Sequence, residues 1–428
     1  MLRRMDLRAT AEQESLRAAF RNWLMEHLPW PYGVGLPPRF DDLAETVAFG
    51  RRWQGELAAD GWVGLTWPEE YGGQGLGALE NYVVIEELAR ARAPELVGRI
   101  GINLVGPTLL AHGTPEQKER FLHRILSASE LWCQLFSEPD AGSDLASLTT
   151  RAVPVEGGYR VTGRKVWTSY AQFADWGLCL TRSDPTAAKR QQGITSLIID
   201  MHAPGVVVHP LVQSTGEAEF NEVELDDVFV PDDRRIGTEG EGWRIAGSTL
   251  AHERGINPRQ LVIHTQLIEE LLRLAEANGS FDDWRLRQSL AQAATEVRLF
   301  QLHNWRSLTR LSKGEAPGPE GSALKLYWSE MSKRLHQTAL PTSTSIPTQR
   351  PHTYFFLLLT ATVPGVSVAY SSALNTSLYV TSLCPRYCGR NPNKITFPAP
   401  VFFSTSAEAP SSDFPPSSHP LSSGFGLS

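Results

Sequence analysis

The sequence predicts an α+β fold: an N-terminal helical domain over 1–128, a small middle β-barrel or sandwich over 129–235, and an incomplete C-terminal helix bundle over 236–335. Three observations carry this. Apolar residues recur at helical steps up to about Ile125. Strand-length pieces broken by Gly, Pro and Asp then run to about Val230. Helical stripes return after Gly242. From about His336 no stripe is expected, and 336–428 reads as an atypical Ser/Thr/Pro-rich tail.

In the first domain Leu16, Phe20 and Leu24 share one helix face. "FDDLAETVAFGRRWQGELAADGW" is a second amphipathic stretch, stopped by Gly61. "WPEEYGGQGLG" is a glycine-rich loop, and "LENYVVIEELARA" resumes a helix. In "GTPEQKERFLHRIL", Thr114 is the expected N-cap, Pro115 the first helical residue, and acids from Glu116 on occupy the first turn. Each satisfies or complements the open amides of a helix start.

The middle domain reads as five strands: "GGYRVTGRKVWTS", "GLCLTRS", "GITSLIID", "GVVVHPL" and "NEVELDDVFVP". In the last domain Leu261, Ile268, Leu271, Leu272 and Ala275 form one stripe. Leu286, Leu290, Ala293, Val297 and Phe300 form a second, extended by Leu308 and Leu311. Leu324, Trp328, Met331 and Leu335 start a third, the pattern of an antiparallel bundle. That third stripe stops early and leaves an apolar face unfinished, which costs a bundle stability. Two readings of the tail stand: a disordered low-complexity segment, or sequence the bundle did not evolve with, such as the product of a shifted reading frame. The unfinished face favours the second.

A net charge of −7 argues against nucleic acid, which selects a basic face. Four scattered cysteines give no disulfide framework and fit a reducing, cytoplasmic setting. Cys384 and Cys388 lack a second ligand pair, and His112, His123, His303 and His336 lack ligand spacing, so no metal is expected. Arg3 and Arg4 are followed by acids rather than an apolar run, so no secretory signal is read. "YFFLLLTATVPGVSVAY" is short for a membrane span and is interrupted by Pro364, so no membrane role is expected.

The chemistry concentrates in "CQLFSEPDAGSDLASLTT". A loop so rich in Ser, Gly and turn-forming acids can bring backbone amides and small hydroxyls close to a ligand edge. Glu138, Asp140 and Asp144 read as turn formers and caps rather than catalytic acids. Here the chain resembles the acyl-CoA dehydrogenase family. "SEPDAGSD" is similar to its flavin-loop pattern and "GRKVWTSYAQFADW" to its second flavin segment. "FNEVELDDVFVP" and "WPEEYGGQGLG" resemble two further family stretches, all four in family order within about Leu7 to Leu335.

The resemblance implies FAD-dependent α,β-dehydrogenation of an acyl-CoA thioester: a glutamate takes the α-proton and the β-hydrogen leaves as hydride to flavin N5. It implies FAD contacts from Gln134, Phe136, Ser137, Gly142, Ser143, Trp167, Thr168 and Ser169, with Ser143 also near the substrate. It implies electron-transfer flavoprotein as electron acceptor, a homo- or hetero-oligomer, and a place in fatty acid or sterol side-chain degradation. The family's glutamate occurs either near the C-terminus in a Tyr-x-Gly-Thr-Ser context, absent from this chain, or before an arginine in the helix after the β domain. "STLAHERGIN" supplies the second context, so Glu253 is the candidate base and Arg254 the matching substrate-side arginine. His252 is expected only as a neighbour, since adjacent helical residues diverge by about 100°.

Two departures from the family pattern matter. The family's Arg-x-x-F-G stretch is replaced by "LAEANGSFDDWRLRQSLAQ", where Arg285 or Arg287 is the available substitute. The tail stands where the family has its last two helices, so weakened flavin binding and assembly are expected. The alternatives are a non-catalytic partner subunit or defective member of the fold, and a flavin oxidase or monooxygenase built on it.

Overall fold

The computed structural model describes residues 10–29, 32–33, 40, 42–214, 216–253, 256–315 and 318–344, the side chains of residues 253, 343 and 344 excepted. The readings of the tail beyond Thr344, of Cys384 and Cys388, and of Arg254 fall outside them.

Among the described residues, five α-helices belong to the N-terminal domain: α1 (Ala11–His27), α2 (Leu43–Ala59), α3 (Ala78–Arg90), α4 (Gly106–His112) and α5 (Pro115–Leu126). Thr114 caps α5 as the sequence predicts; its Oγ1 accepts from Gln117 N at 3.2 Å, and Gln117 Oε1 accepts from Thr114 N. A π-helical turn at Gly101–Val105 leads directly into α4.

The middle domain has eight strands: β1 (Trp132–Leu135), β2 (Arg151–Val155), β3 (Gly158–Ser169), β4 (Trp176–Arg182), β5 (Ile194–Asp200), β6 (Val206–Leu211), β7 (Phe220–Pro231) and β8 (Arg235–Ile236). The order is β6-β7-β3-β2-β4-β5-β8, with β1 beside β4. A single pairing, Arg151 with Arg182, joins β2 to β4. The two halves fold onto one another around Cys133, Cys179, Leu197 and Ile199 from one half and Val161, Val223, Leu225 and Val228 from the other. The middle β domain predicted from the sequence is therefore present, as one sheet folded on itself. Three strands escaped the sequence reading: β1 and β8 are very short, and β2 carries Pro154.

β4 and β5 are buried on both faces. Leu178, Leu180, Ile194 and Ile198 point away from the sandwich into the core of the N-terminal helices, where they join Trp53, Leu57, Phe121 and Trp132. Polar ties reinforce this junction. Arg51 of α2 donates to the Ala128 and Ser129 carbonyls at 2.9 Å and to Asp175 Oδ2 at 3.0 Å. Gln117 donates to the carbonyls of Asp233 and Arg235 at 2.7 and 2.9 Å.

Helix α6 (Gly242–Glu253) leaves the β domain, and α7 (Pro258–Ala277), α8 (Trp284–Leu311) and α9 (Glu320–Thr344) pack as a bundle. The predicted stripes meet in its core: Leu261, Leu271, Leu286, Val297, Phe300, Leu324, Met331 and Leu335 are all buried there. One correction concerns the third stripe. The helix does not stop at Leu335; it runs on to Thr344. Small and polar residues complete the face: Ala339 packs on the core, and Thr342 is fully buried while its carbonyl accepts from Asn278 Nδ2 at 2.9 Å. An apolar pattern could not register that continuation.

His264 of α7 is buried against α9, with Nδ1 2.6 Å from Gln260 O and Nε2 3.0 Å from Ser332 Oγ. Burial pushes its imidazole down to about 4, opposed by the Gln260 carbonyl and assisted by nearby His336. An unfolded histidine titrates near 6.5. Between these values the unfolded chain binds more protons, so the stability that His264 contributes is full above about pH 6.5 and is lost as pH falls towards 4. Urea unfolding from pH 7 to 4.5 is expected to show a loss on the order of 2 kcal/mol, and His264→Gln to flatten that slope.

Candidate functional site

The loop after β1 is built around one buried ion pair. The backbones of Glu138 and Ala141 exchange hydrogen bonds of 3.0 and 3.1 Å, closing a tight turn over Pro139 and Asp140. The Glu138 carboxylate points inward. Oε1 accepts from Lys165 Nζ at 2.9 Å and from Thr150 N at 2.9 Å; Oε2 accepts from Thr149 N at 2.6 Å and Thr149 Oγ1 at 2.8 Å. Glu138 thus closes the turn and caps the loop, as the sequence predicts, and the Lys165 ion pair adds to this; all its acceptor capacity is used to fix the loop.

Lys165 is fully buried in β3. Its ammonium also donates to the carbonyls of Phe136, at 3.2 Å, and Leu180, at 2.7 Å. Its three donors are thus satisfied, the condition under which a buried charge is tolerated. Burial alone would push the Glu138 carboxyl up; the Lys165 charge and the Thr149 and Thr150 hydrogen bonds outweigh it and hold the group at about 2. The residue beside Lys165, Val166, donates its N–H to Ser137 O at 2.9 Å. Further on, Arg182 donates to the carbonyls of Ala146 and Leu148 at 2.7 and 3.2 Å.

The same strand then presents Trp167. Between Lys165 and Thr168 the β3–β7 register slips, with Lys165 opposite Val223 and Thr168 opposite Asn221. The extra residue is a bulge, a device that re-aims side chains. Trp167 sits at φ +59°, a conformation that bulky residues rarely adopt, and the residue is 63% exposed. Asn221 Nδ2 holds the bulge by donating to Thr168 O at 3.0 Å. Tyr170, also left-handed at φ +54°, donates its N–H to Glu219 O at 2.7 Å and its hydroxyl to Glu219 Oε1 at 3.0 Å; burial first, then the Glu219 charge, pushes its phenol up.

Loop and strand form one wall of a cavity of about 460 Å³, within the range of about 300–1,000 Å³ usual for ligand pockets. Gln134, Phe136, Ser137, Gly142, Ser143, Leu145, Val166 and Trp167 line this side; Trp243, Ala246, Gly247 and Leu250 of α6 line the other. An added Cβ at Gly142 would meet nothing within 4 Å, so the loop backbone lies open to the cavity. An open backbone edge beside a broad exposed indole fits a planar ring system with polar atoms along one side.

Helix α6 is seated firmly. Gly242 packs against β5, where an added Cβ would lie 2.7 Å from Ile194 O, and Ile245 and Ala246 enter the main core. The buried hydroxyls of Thr249 and Thr108 of α4 lie 2.7 Å apart.

Of the residues proposed from the sequence, Gln134, Phe136, Ser137, Gly142, Ser143 and Trp167 come together on this wall. Thr168 and Ser169 are not among its lining residues: Thr168 is buried with its hydroxyl unpartnered, and Ser169 is half-buried. Glu253 ends α6, three residues past Leu250 and seven past Ala246. Helical spacing keeps that position on the side of α6 that lines the cavity. Neither Arg285, whose guanidinium lies 5.4 Å from the exposed Trp284 ring, nor Arg287, which donates to Phe281 O at 3.1 Å, is among the cavity residues. Sequence reasoning missed Lys165, although Val161, Gly163 and Lys165 alternate inward along β3; it also missed the α6 wall, although 243, 246, 247 and 250 are a helical stripe.

Models of the acyl-CoA dehydrogenase N-terminal, middle and C-terminal domains match residues 10–129, 133–228 and 240–342. Acyl-CoA dehydrogenase IpdE1 of Mycobacterium tuberculosis is 39% identical over 332 residues, 76% of this chain and 85% of that protein. Among solved structures, the Tcur3481-Tcur3483 steroid ACAD aligns at TM-score 0.68 and 31% identity, covering 81% of this chain and 89% of its own. The ChsE4-ChsE5 complex from Mycobacterium tuberculosis aligns at TM-score 0.68 and 29% identity, over 81% and 89%.

Replacing Lys165 with Met is expected to strand the Glu138 carboxylate and cost about 3–5 kcal/mol in urea unfolding. Lys165→Met combined with Glu138→Gln is expected to recover a large part of that loss.

Proposed function

Because the chain belongs to the acyl-CoA dehydrogenase family, whose members are oxidoreductases, we propose that its cavity takes FAD on the β-domain side and an acyl-CoA thioester on the α6 side, with Glu253 as base. The observation that supports this best is the cavity itself, which the loop of Ser137–Ser143 and helix α6 wall jointly. Gln134, Phe136, Ser137, Gly142, Ser143 and Trp167 would hold the flavin, with Thr168 and Ser169 behind them. Bound there, FAD supplies the hydride acceptor.

The rest falls to the chain's own residues. The hydroxyl of Ser143 orients the thioester, whose carbonyl oxygen gains negative charge as the α-proton leaves. Leu250, Ala246 and Phe136 exclude water from that proton's path. Glu253 lies in the last turn of α6. Arg254 is the proposed substrate-side arginine. The acyl group is proposed to be bulky and ring-bearing, of the steroid-derived kind, because one solved relative is named a steroid ACAD and the α6 wall carries the small residues Ala246 and Gly247 between Trp243 and Leu250.

Electron-transfer flavoprotein is the proposed electron acceptor. A homo- or hetero-oligomer is the proposed assembly, since one solved relative is a complex of two named components. Among the described residues no helix is long and apolar enough to cross a membrane, and a cytoplasmic site of action is proposed.

The test is Glu253→Gln in the FAD-loaded chain. Bound FAD per protein is expected to stay at the wild-type level. The rate at which acyl-CoA bleaches the flavin absorbance anaerobically is expected to fall by about 10²–10⁴-fold, the usual weight of a positioned general base. Bleaching at the wild-type rate would remove Glu253 from the mechanism.

A further inference from the structure

Helix α6 carries two glycines whose surroundings differ completely. At Gly242 a side chain is sterically forbidden: an added Cβ would lie 2.7 Å from Ile194 O and 2.8 Å from Thr195 C. At Gly247, in the middle of the helix, an added Cβ would meet nothing within 4 Å, and the backbone has no left-handed φ that would call for glycine. Glycine inside a helix costs about 0.5–1 kcal/mol relative to alanine, so on local grounds alone alanine is the better residue there. Neither packing nor backbone conformation accounts for Gly247. What it does preserve is space, because it lines the cavity beside Ala246 and one turn from Trp243 and Leu250.

We propose that Gly247 is a specificity-determining residue: it holds the α6 side of the cavity open for the bulk of a ring-bearing acyl group. The proposal rests on the dehydrogenase reading, since it takes α6 as the acyl side of the site. A side chain grown from position 247 projects into the cavity, where a straight acyl chain can bend past it and a ring cannot. Hydrophobic pockets discriminate by about 10–200-fold per methylene-sized change, so one added side chain is sufficient to reverse a preference.

The experiment compares the full-length, FAD-loaded wild type with Gly247→Ala and Gly247→Leu. Calorimetry gives the dissociation constants of 3-cyclohexylpropionyl-CoA and butyryl-CoA for each. The ratio of the first to the second is expected to rise about tenfold or more in Gly247→Leu and less in Gly247→Ala. The Tm of Gly247→Ala is expected to rise, because helix propensity improves and nothing is displaced. A ratio unchanged in Gly247→Leu would overturn the proposal. So would a lower Tm for Gly247→Ala, which would show that the glycine serves packing. The ratio is read from binding alone; turnover of either thioester by the wild type tests the dehydrogenase reading separately.

Discussion

The buried contact between Lys165 and Glu138 is the constraint on which the site depends. It is not favourable because two charges meet; taking both out of water costs several kcal/mol that their attraction only partly offsets. It persists because every remaining donor and acceptor is used. Lys165 reaches the carbonyls of Phe136 and Leu180, and Glu138 takes the amides of Thr149 and Thr150. One ammonium thereby ties three segments together: the start of the loop, the strand that presents Trp167, and β4, which lies between β2 and β5. An apolar pair of similar volume could fill the same space. It would not specify where Ser137 and Gly142 sit relative to Trp167.

Strain is placed beside that clamp. Trp167 and Tyr170 both occupy left-handed backbone, and a bulge separates Lys165 from Thr168. Such conformations cost about 1–3 kcal/mol each and persist where the surroundings over-determine them. Here the surroundings are the Lys165 anchor on one side and Asn221 and Glu219 on the other. The opposite wall is fixed by different means, namely the close approach of Gly242 to β5 and the paired hydroxyls of Thr108 and Thr249. The cavity therefore lies between two independently seated elements, and its width is left to the side chains that α6 carries.

Much of this was legible in the sequence, for identifiable reasons. The bundle stripes Leu261–Ala275 and Leu286–Phe300 are amphipathic and long, so periodicity located them. The residues of "SEPDAGSD" were readable through their resemblance to a family flavin loop, with which the small residues that close approach to a ligand demands agree. Lys165 was not, since a lysine in a strand ordinarily reads as exposed and only its buried partner shows otherwise. The wall at Trp243, Ala246, Gly247 and Leu250 was hidden by the mixed character of α6, whose Ile245 and Ala246 also serve the core. The extension of α9 to Thr344 was missed because Ala339 and Thr342 finish the buried face without an apolar signal.

The central claim is that the clamped loop, β3 and α6 enclose one ligand site. Hydrogen–deuterium exchange of the full chain, with and without FAD and then with acyl-CoA added, tests it most directly. The account predicts slowed exchange at amides of 134–145 and 165–169 on adding FAD, and at 243–250 on adding the thioester. Unchanged exchange in these segments, with protection appearing elsewhere, would contradict it.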